Sequence, residues 1–149
     1  MSMNTDPGGA MFWLFQDHRP STRQAFGEDN AVCWAELATR DSERVREFYG
    51  QLLGWQFKGS ANMPEYQEFS VGGQPRGGIM PMDEQWQGIP SHWGIYFMVN
   101  DCDAMAEKAK SLGATLRHGP FSAPGVGRMA MIADPQGAGF SLIKLDMPM

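Results

Sequence analysis

One pattern of apolar spacing and turn residues occurs twice in this chain, and it constrains the fold more than any other feature. Each copy is a strand-like segment followed by a segment with apolar residues at helical spacing, which begins at an aspartate and ends at a glycine. Such a repeat predicts two copies of one supersecondary unit. The copies are residues 31–41 with helix 42–53 and Gly54, then residues 91–100 with helix 102–112 and Gly113.

Three short strand candidates follow each helix, separated by glycine-containing turns such as Gly72-Gly73 and the segment 134–137. The sequence therefore predicts an α+β fold of two tandem βαβββ modules, at about residues 31–82 and 91–145. A polar linker at 83–90 joins them. The strand candidates are 56–58, 66–71 and 77–82 in the first module, and 115–118, 127–133 and 139–145 in the second.

Alternation along the first strand of each module assigns its side chains to two faces. One set is apolar enough to lie under a helix, and we expect the other set to line a cavity enclosed by curved sheets of both modules. The helix-facing sets are Cys33, Ala35 and Leu37, then Trp93, Ile95, Phe97 and Val99. The cavity-facing sets are Trp34, Glu36 and Ala38, then His92, Gly94, Tyr96 and Met98.

Composition excludes several classes of partner. The chain has 149 residues and a net charge of −5, without a basic run that would follow a phosphate backbone, so nucleic acid is not expected. Cys33 and Cys102 form no metal or redox motif, which predicts free thiols in a reducing compartment. The apolar run at 11–15 is too short for a signal peptide or a membrane span. We therefore expect a cytoplasmic protein.

Residues 1–30 differ from the rest of the chain in mixing glycine, proline and charge around one aromatic patch, which contains Phe12, Trp13 and Phe15. We interpret them as a partly disordered arm, with the domain itself at 31–149. The patch is expected to dock on its own domain or on a partner subunit. Short edge strands and a patch that needs cover predict a homodimer.

Seven short phrases occur in a fixed order along the two modules, at residues 36–41, 46–50, 53–55, 77–80, 92–93, 99–101 and 134–137. Together they resemble the glyoxalase/bleomycin-resistance/dioxygenase superfamily, also called vicinal oxygen chelate, over about residues 31–145. The resemblance is greatest to the branch labelled glyoxalase-like proteins or hydroxylases, and it implies the βαβββ fold more firmly than any reaction.

The resemblance also implies where a metal would bind. Metal-dependent members supply His, Glu or Gln from the first strand of each module and Glu or His from the last. The matching positions here are Trp34, Gly94, residues 77–80 and Ser141. A divalent ion needs about four convergent donor atoms, so no metal and no cofactor are expected. A divalent metal held by other residues is the alternative.

Glu36 and His92 carry the strongest chemistry on the predicted cavity face. They are interpreted as a catalytic base with its orienting partner, as ligand contacts, or as structural groups. Further ligand-binding candidates are aromatic residues that stack on flat molecules, adaptable methionines and one hydroxyl. These are Trp34, Tyr96, Met80, Met98 and Ser141, and core packing explains the aromatic and methionine side chains equally well.

Two functions follow as hypotheses. The first is metal-free binding of a small cationic or aromatic molecule, as in drug-sequestering proteins of the bleomycin-resistance type, and the acidic net charge favours a cation. The second is an enzyme, namely a lyase, an isomerase or a dioxygenase-like or hydroxylase-like catalyst. It would use Glu36 and His92, or a divalent metal. An interaction role for the aromatic arm is a third possibility.

Overall fold

The computed structural model describes residues 1–19, 25–147 and 149, which form two compact units. Unit 1 contains residues 1–19 and 35–93. Unit 2 contains residues 25–34 together with the described residues after 93. The order of strand, helix and three strands occurs twice, so the predicted α+β fold of two βαβββ modules is confirmed.

The described residues form ten strands and two α-helices. Among them, no helix has the length and apolar character needed to cross a membrane. The elements, in chain order, are β1 Ser2–Thr5, β2 Met11–Leu14, β3 Val32–Thr39, α1 Ser42–Leu53, β4 Gln56–Gly59, β5 Gln67–Val71, β6 Gln74–Pro81, a 3-10 turn Glu84–Trp86, β7 His92–Met98, α2 Cys102–Ser111, β8 Thr115–Ala123, β9 Gly127–Ala133 and β10 Gly139–Leu145.

Both helices begin at an aspartate, as the sequence predicts, and of the two candidates for α2, Asp101 and Asp103, the structure uses Asp101. The Asp41 side chain accepts a hydrogen bond from the Arg44 amide at 3.3 Å, and Asp101 accepts one from the Ala104 amide at 3.0 Å. Each bond satisfies a first-turn amide that has no partner within its helix. Helix α1 ends at Gly54, whose φ of 71° is a left-handed conformation that suits glycine.

In unit 1, β3 pairs in parallel with β6, and β6, β5 and β4 continue as antiparallel neighbours. Leu37 of β3 and Ile79 of β6 are opposite each other and are fully buried against Val45 and Tyr49 of α1. Burial of each such side chain contributes roughly 1.5–3 kcal/mol. This packing fixes which face of the sheet the helix covers.

Unit 2 repeats the arrangement. Strand β7 pairs in parallel with β10, which is followed by antiparallel β9 and β8. The core under α2 is made of small and branched side chains that include Cys102 and Ala106 of the helix and Ile132 and Leu142 of the sheet. Because small residues line the helix, the helix can lie close to the strands.

The first nineteen residues contain a hairpin that the sequence analysis did not predict. Strands β1 and β2 pair in an antiparallel register, with Met3 opposite Trp13 and Asn4 opposite Phe12. The Phe12 ring packs edge-on against Phe48 and Tyr49 of α1, at centroid distances of 6.0 and 5.5 Å. Phe12 thus docks on its own domain, whereas Trp13 lies exposed on the other face of the hairpin.

A buried polar network attaches this hairpin to the rest of unit 1. Asp6 accepts hydrogen bonds from the amides of Gly8 and Ala10 through Oδ1, and from the Tyr49 hydroxyl through Oδ2 at 2.8 Å. The same hydroxyl accepts a hydrogen bond from Trp93 Nε1 at 3.1 Å. Burial raises the pKa of Tyr49 well above its ordinary value, so the hydroxyl keeps the proton that it donates.

We expect Tyr49→Phe to lower the free energy of unfolding by about 1–3 kcal/mol, because it leaves the Asp6 carboxylate and the Trp93 indole without their shared partner in a buried place. Urea denaturation of wild type and variant measures the difference. Tyr66→Phe, which removes a hydroxyl from a half-buried site, is the matched control. A Tyr49→Phe loss no larger than that of the control would contradict this account of the network.

Candidate functional site

Glu36 lies on the face of β3 opposite α1. Its neighbour Leu37 is buried under the helix, and successive side chains of a strand point to opposite faces. In the parallel ladder, Glu36 is paired with Gly78 and Leu37 with Ile79. The Tyr66 hydroxyl donates a hydrogen bond to Glu36 Oε2 at 3.1 Å. Strand alternation predicts this face for Glu36, whereas no sequence pattern points to Tyr66.

Gly78 makes room for this contact. A Cβ at Gly78 would overlap the Tyr66 ring and hydroxyl, so the absent side chain lets the phenol lie on the sheet and reach Glu36. The neighbouring Gly77 serves the other face, where a Cβ would overlap the Phe69 ring and the backbone oxygen of Ala35. Gly77 and Gly78 belong to the family-like phrase at residues 77–80. Their physical role here is to let Phe69 approach one face of the strand and Tyr66 the other.

More polar side chains lie on the same face of unit 1. Glu68 pairs with Gly78 across the β5–β6 ladder, and Lys58 pairs with Glu68 across the β4–β5 ladder. Directly opposite residues in antiparallel strands share a face. Lys58 Nζ lies 3.7 Å from Glu68 Oε2. Together with Glu36 and Tyr66 they form a polar row, at whose far end a shallow pocket of about 300 Å³ lies along β4 and β5.

Met80, another predicted ligand contact, is opposite Ala38 in the β3–β6 ladder. By alternation it shares the face of Glu36, and its side chain is half-buried. The structure therefore brings Met80 and Glu36 to one face of unit 1. The shared cavity inferred from the sequence remains a prediction.

His92 is exposed, and it contacts two residues of the linker at 83–90. Nδ1 lies 2.8 Å from the Pro90 carbonyl oxygen, and the ring is 6.5 Å from that of Trp86. Since a carbonyl only accepts, Nδ1 carries the proton of this bond and Nε2 is the acceptor in the neutral ring. Glu36 is hydrogen-bonded to Tyr66 instead, so the structure gives the two proposed catalytic groups different partners.

Tyr96, Met98 and Ser141 share one face in unit 2. Ser141 is opposite Tyr96 in the β7–β10 ladder, while the intervening Leu142 is buried under α2. Trp34 and Met98 pack against Tyr96 and Ile143 in a cluster separate from the helix core. These four predicted ligand contacts therefore lie on, or pack against, the sheet face opposite α2. Met129 joins them, although the sequence analysis did not select it.

The assignment of Cys33 to the face under the first helix is wrong. Cys33 was assigned with Ala35 and Leu37 to the face beneath the first helix, but it packs with Tyr96 and Ile143 in unit 2. Its thiol donates a hydrogen bond to the Tyr96 carbonyl oxygen at 3.5 Å, and burial raises its pKa to about 11. Ile95, assigned to the helix-facing set, is exposed instead, whereas Phe97 and Val99 do pack in the α2 core.

The residues at the family's metal-ligand positions do not fit a divalent ion. Trp34, Gly94 and Ser141 offer at most one oxygen donor, and within residues 1–19, 25–147 and 149 no group of three His, Cys, Asp or Glu side chains converges. Such a centre needs about four N, O or S donors. The side chains on these faces offer stacking, hydrogen bonding and the charges of Glu36, Glu68 and Lys58.

Alanine substitutions at the two adjacent glycines should differ sharply in their effect on stability. Gly78→Ala is expected to displace the mobile end of the Tyr66 side chain from Glu36, with a stability loss of about 1 kcal/mol or less. Gly77→Ala meets backbone and a buried ring that cannot move aside, and should cost several times more, roughly 3 kcal/mol. Denaturant unfolding and a crystal structure of Gly78→Ala test this. Equal losses, or an undisturbed Tyr66, would contradict it.

Comparison with known proteins identifies the family of this domain. The Glyoxalase-like domain model matches residues 32–143. "Putative glyoxylase CFP32" of Mycobacterium tuberculosis is 36% identical over 146 residues, which cover 97% of this chain and 55% of that protein. "Anthracycline biosynthesis protein DnrV" of Streptomyces peucetius is 31% identical over 150 residues, with coverages of 97% and 52%. The chain thus spans about half the length of these curated relatives.

Solved structures with low sequence identity share the fold. Methylmalonyl-CoA epimerase from Mycobacterium tuberculosis has a TM-score of 0.61 at 18% identity, covering 87% of this chain and 95% of that chain. Homoprotocatechuate 2,3-dioxygenase from Brevibacterium fuscum has a TM-score of 0.58 at 16% identity, with coverages of 79% and 37%. By its repeated modules and its domain match over residues 32–143, this chain belongs to the Glyoxalase-like domain family.

Proposed function

We propose that this protein binds a small aromatic molecule, without a metal, on the face of the unit 2 sheet opposite α2. The observation that supports this most is the cluster of Trp34, Tyr96 and Met98 around Ile143, apart from the helix core. Trp34 and Met98 are half-buried. Binding sites of this kind are mostly apolar, with a few polar groups that fix orientation. Ser141 supplies such a group.

The residue types favour a flat ligand. Indole and phenol rings stack on aromatic molecules, and each such contact contributes about 0.5–1.5 kcal/mol beyond its buried area. Met98 and Met129 have flexible, polarizable side chains that adapt to the outline of a ligand. One relative is named for anthracycline biosynthesis, and anthracyclines are flat polycyclic molecules. This name supports the proposed class of ligand.

A small cationic molecule is the second proposed class of ligand, bound on the face of unit 1 that carries Glu36. The chain carries a net charge of −5, which attracts cations over long range. In unit 1, Glu36 presents a carboxylate whose Oε2 is held by Tyr66. A carboxylate in a fixed orientation is a suitable acceptor for an ammonium group, because charge-assisted hydrogen bonds are stronger than neutral ones.

An enzyme remains the alternative, and one observation favours it. The Tyr66 hydroxyl lies 3.1 Å from Glu36, so an ionisable acceptor and a proton donor are already in contact. Glu36 would then act as a base in a lyase or isomerase reaction, with His92 acting separately through Nε2. A dioxygenase-like or hydroxylase-like reaction would require a divalent metal on residues other than the family positions.

Loss of the indole at Trp34 should weaken ligand binding. With a fluorescent anthracycline as probe, we expect Trp34→Leu to raise Kd about tenfold, which corresponds to about 1.4 kcal/mol. Fluorescence titration and isothermal calorimetry measure the change. Trp13→Leu, which removes an exposed indole of the hairpin, is the matched control and should bind like wild type. Unchanged affinity in Trp34→Leu would refute the proposed site. A thermal-shift screen in which no anthracycline or other aromatic compound raises the melting temperature would also refute it.

Glu36→Gln separates a binding role from a structural one. If Glu36 binds a cationic group, the variant should lose about tenfold in affinity for a small amine. It should bind an uncharged analogue normally and keep the melting temperature of the wild type. If the carboxylate is instead structural, the melting temperature without ligand should fall, and both ligands should be affected alike.

Metal analysis tests the remaining element of the proposal. Protein purified without chelators should contain no stoichiometric transition metal by mass spectrometry, because Trp34, Gly94 and Ser141 occupy the family's ligand positions. EDTA treatment should leave the melting temperature unchanged. One equivalent of zinc, nickel, iron or manganese, lost together with stability or activity on chelation, would favour the enzyme alternative.

A further inference from the structure

Four polar side chains lie together on one face of β4 and β5. In the β4–β5 ladder, Gln56 is opposite Ser70 and Lys58 is opposite Glu68. Phe69, which separates Glu68 from Ser70, is buried on the helix side of the sheet, so the four polar side chains point to the other side. They stand at the corners of a rectangle of about 5 Å across the strands and about 7 Å along them. We call these four residues the polar quartet.

The polar quartet lines the pocket of about 300 Å³ that lies along β4 and β5. Gly73 and Pro75, which follow β5 and begin β6, also line it. Ligand sites have volumes of about 300–1,000 Å³, so this pocket fits a small molecule. Among the described residues that line it, only Lys58 and Glu68 carry a charge. These two groups therefore determine which charges a ligand can carry.

The Lys58–Glu68 pair is loose enough to accept a ligand. Lys58 Nζ lies 3.7 Å from Glu68 Oε2, which is longer than the usual hydrogen-bond length of about 2.7–3.2 Å. The Lys58 side chain is 75% exposed and that of Glu68 is 28% exposed. Pairs of this kind contribute little to stability, so both side chains can reorient at small cost. Each can then form a charge-assisted hydrogen bond with a bound molecule.

A ligand that carries both charges matches this pair better than a simple ion does. A lone cation beside Glu68 is repelled by Lys58, and a lone anion beside Lys58 is repelled by Glu68, because the two groups are so close. In a free α-amino acid, the ammonium and carboxylate groups are attached to one carbon. Its carboxylate can therefore face Lys58 while its ammonium group faces Glu68, so that all four neighbouring charges alternate in sign.

The uncharged half of the polar quartet favours a neutral polar side chain on that amino acid. Gln56 has an amide that donates and accepts hydrogen bonds, and Ser70 has a hydroxyl that does the same. Both lie one step of strand alternation, about 7 Å, from the charged pair. A glutamine side chain and one hydrogen bond together span this distance.

We propose that the pocket on β4 and β5 binds a free α-amino acid with a neutral polar side chain, such as glutamine. Lys58 binds its carboxylate, Glu68 binds its ammonium group, and Gln56 and Ser70 bind its side chain. This site is separate from the proposed aromatic and cationic sites, because neither Glu36 nor the aromatic cluster of unit 2 lines the pocket. A negative result for one ligand therefore does not decide the others.

Titration with L-glutamine, followed by heteronuclear NMR, tests the proposal. We expect saturable shifts of the amides of β4 and β5 with a roughly millimolar Kd, as suits a ligand of about ten heavy atoms. Glutaminamide lacks the carboxylate, and N-acetylglutamine lacks the ammonium group. Each should bind to the wild type about tenfold more weakly than glutamine does.

Two variants identify which protein group binds which charge. Lys58→Met should weaken glutamine binding about tenfold and should bind glutamine and glutaminamide alike, because the carboxylate has lost its partner. Glu68→Gln should bind glutamine and N-acetylglutamine alike, because the ammonium group has lost its partner. Lys110→Met is the matched control, since it breaks another exposed pair, with Glu107 on α2 at 2.6 Å, and it should bind like wild type.

Three results would each overturn the proposal. The first is a wild type without saturable shifts in β4 and β5 up to about 10 mM glutamine. The second is equal binding of glutamine and glutaminamide by the wild type. The third is a folded Lys58→Met variant with the affinity of the wild type. If that variant does not fold, the ligand analogues alone decide, because they are measured on the wild type.

Discussion

Burial of Leu37 and Ile79 against Val45 and Tyr49 of α1 is the constraint on which the rest of unit 1 depends. Since side chains of a strand alternate between two faces, this contact determines the direction of every other residue in β3 and β6. Glu36 and Gly78 fall opposite the helix for that reason alone. A shift of one residue would place a carboxylate in the apolar core at a cost of several kcal/mol, so the register is strongly specified.

Local signals explain why so much of the fold was predictable. The caps at Asp41 and Asp101 and the turn at Gly72-Gly73, where both φ angles are positive, act over a few residues and can be found in the sequence. The Tyr66–Glu36 contact spans thirty residues and depends on an absent side chain at Gly78. No periodicity encodes such a contact. The hairpin at residues 2–14 was not predicted, because its strands are only four residues long and the segment between them, which contains the buried Asp6, has the composition of a loop.

Cys33 shows where strand alternation fails as a guide. The rule assigns alternate residues to two faces but does not say which element covers each face along the length of a strand. Leu37 lies in the α1 core, whereas Cys33, four residues earlier and of the same parity, packs with Tyr96 in unit 2. The candidate residues of unit 2 were nevertheless placed on one face, because Tyr96 and Met98 alternate with Phe97, which packs in the α2 core.

The residues that maintain this fold differ from those at the positions where the resemblance implies metal ligands. Helix packing, caps and the glycine pair maintain the modules. Trp34, at one of the implied ligand positions, packs in an apolar cluster with Tyr96 and Ile143. An indole at that position takes up space and contributes no donor to a metal. Trp34 therefore supplies no ligand atom while its ring offers a surface for stacking, so this residue supports both the expectation of a metal-free site and the proposal of an aromatic ligand.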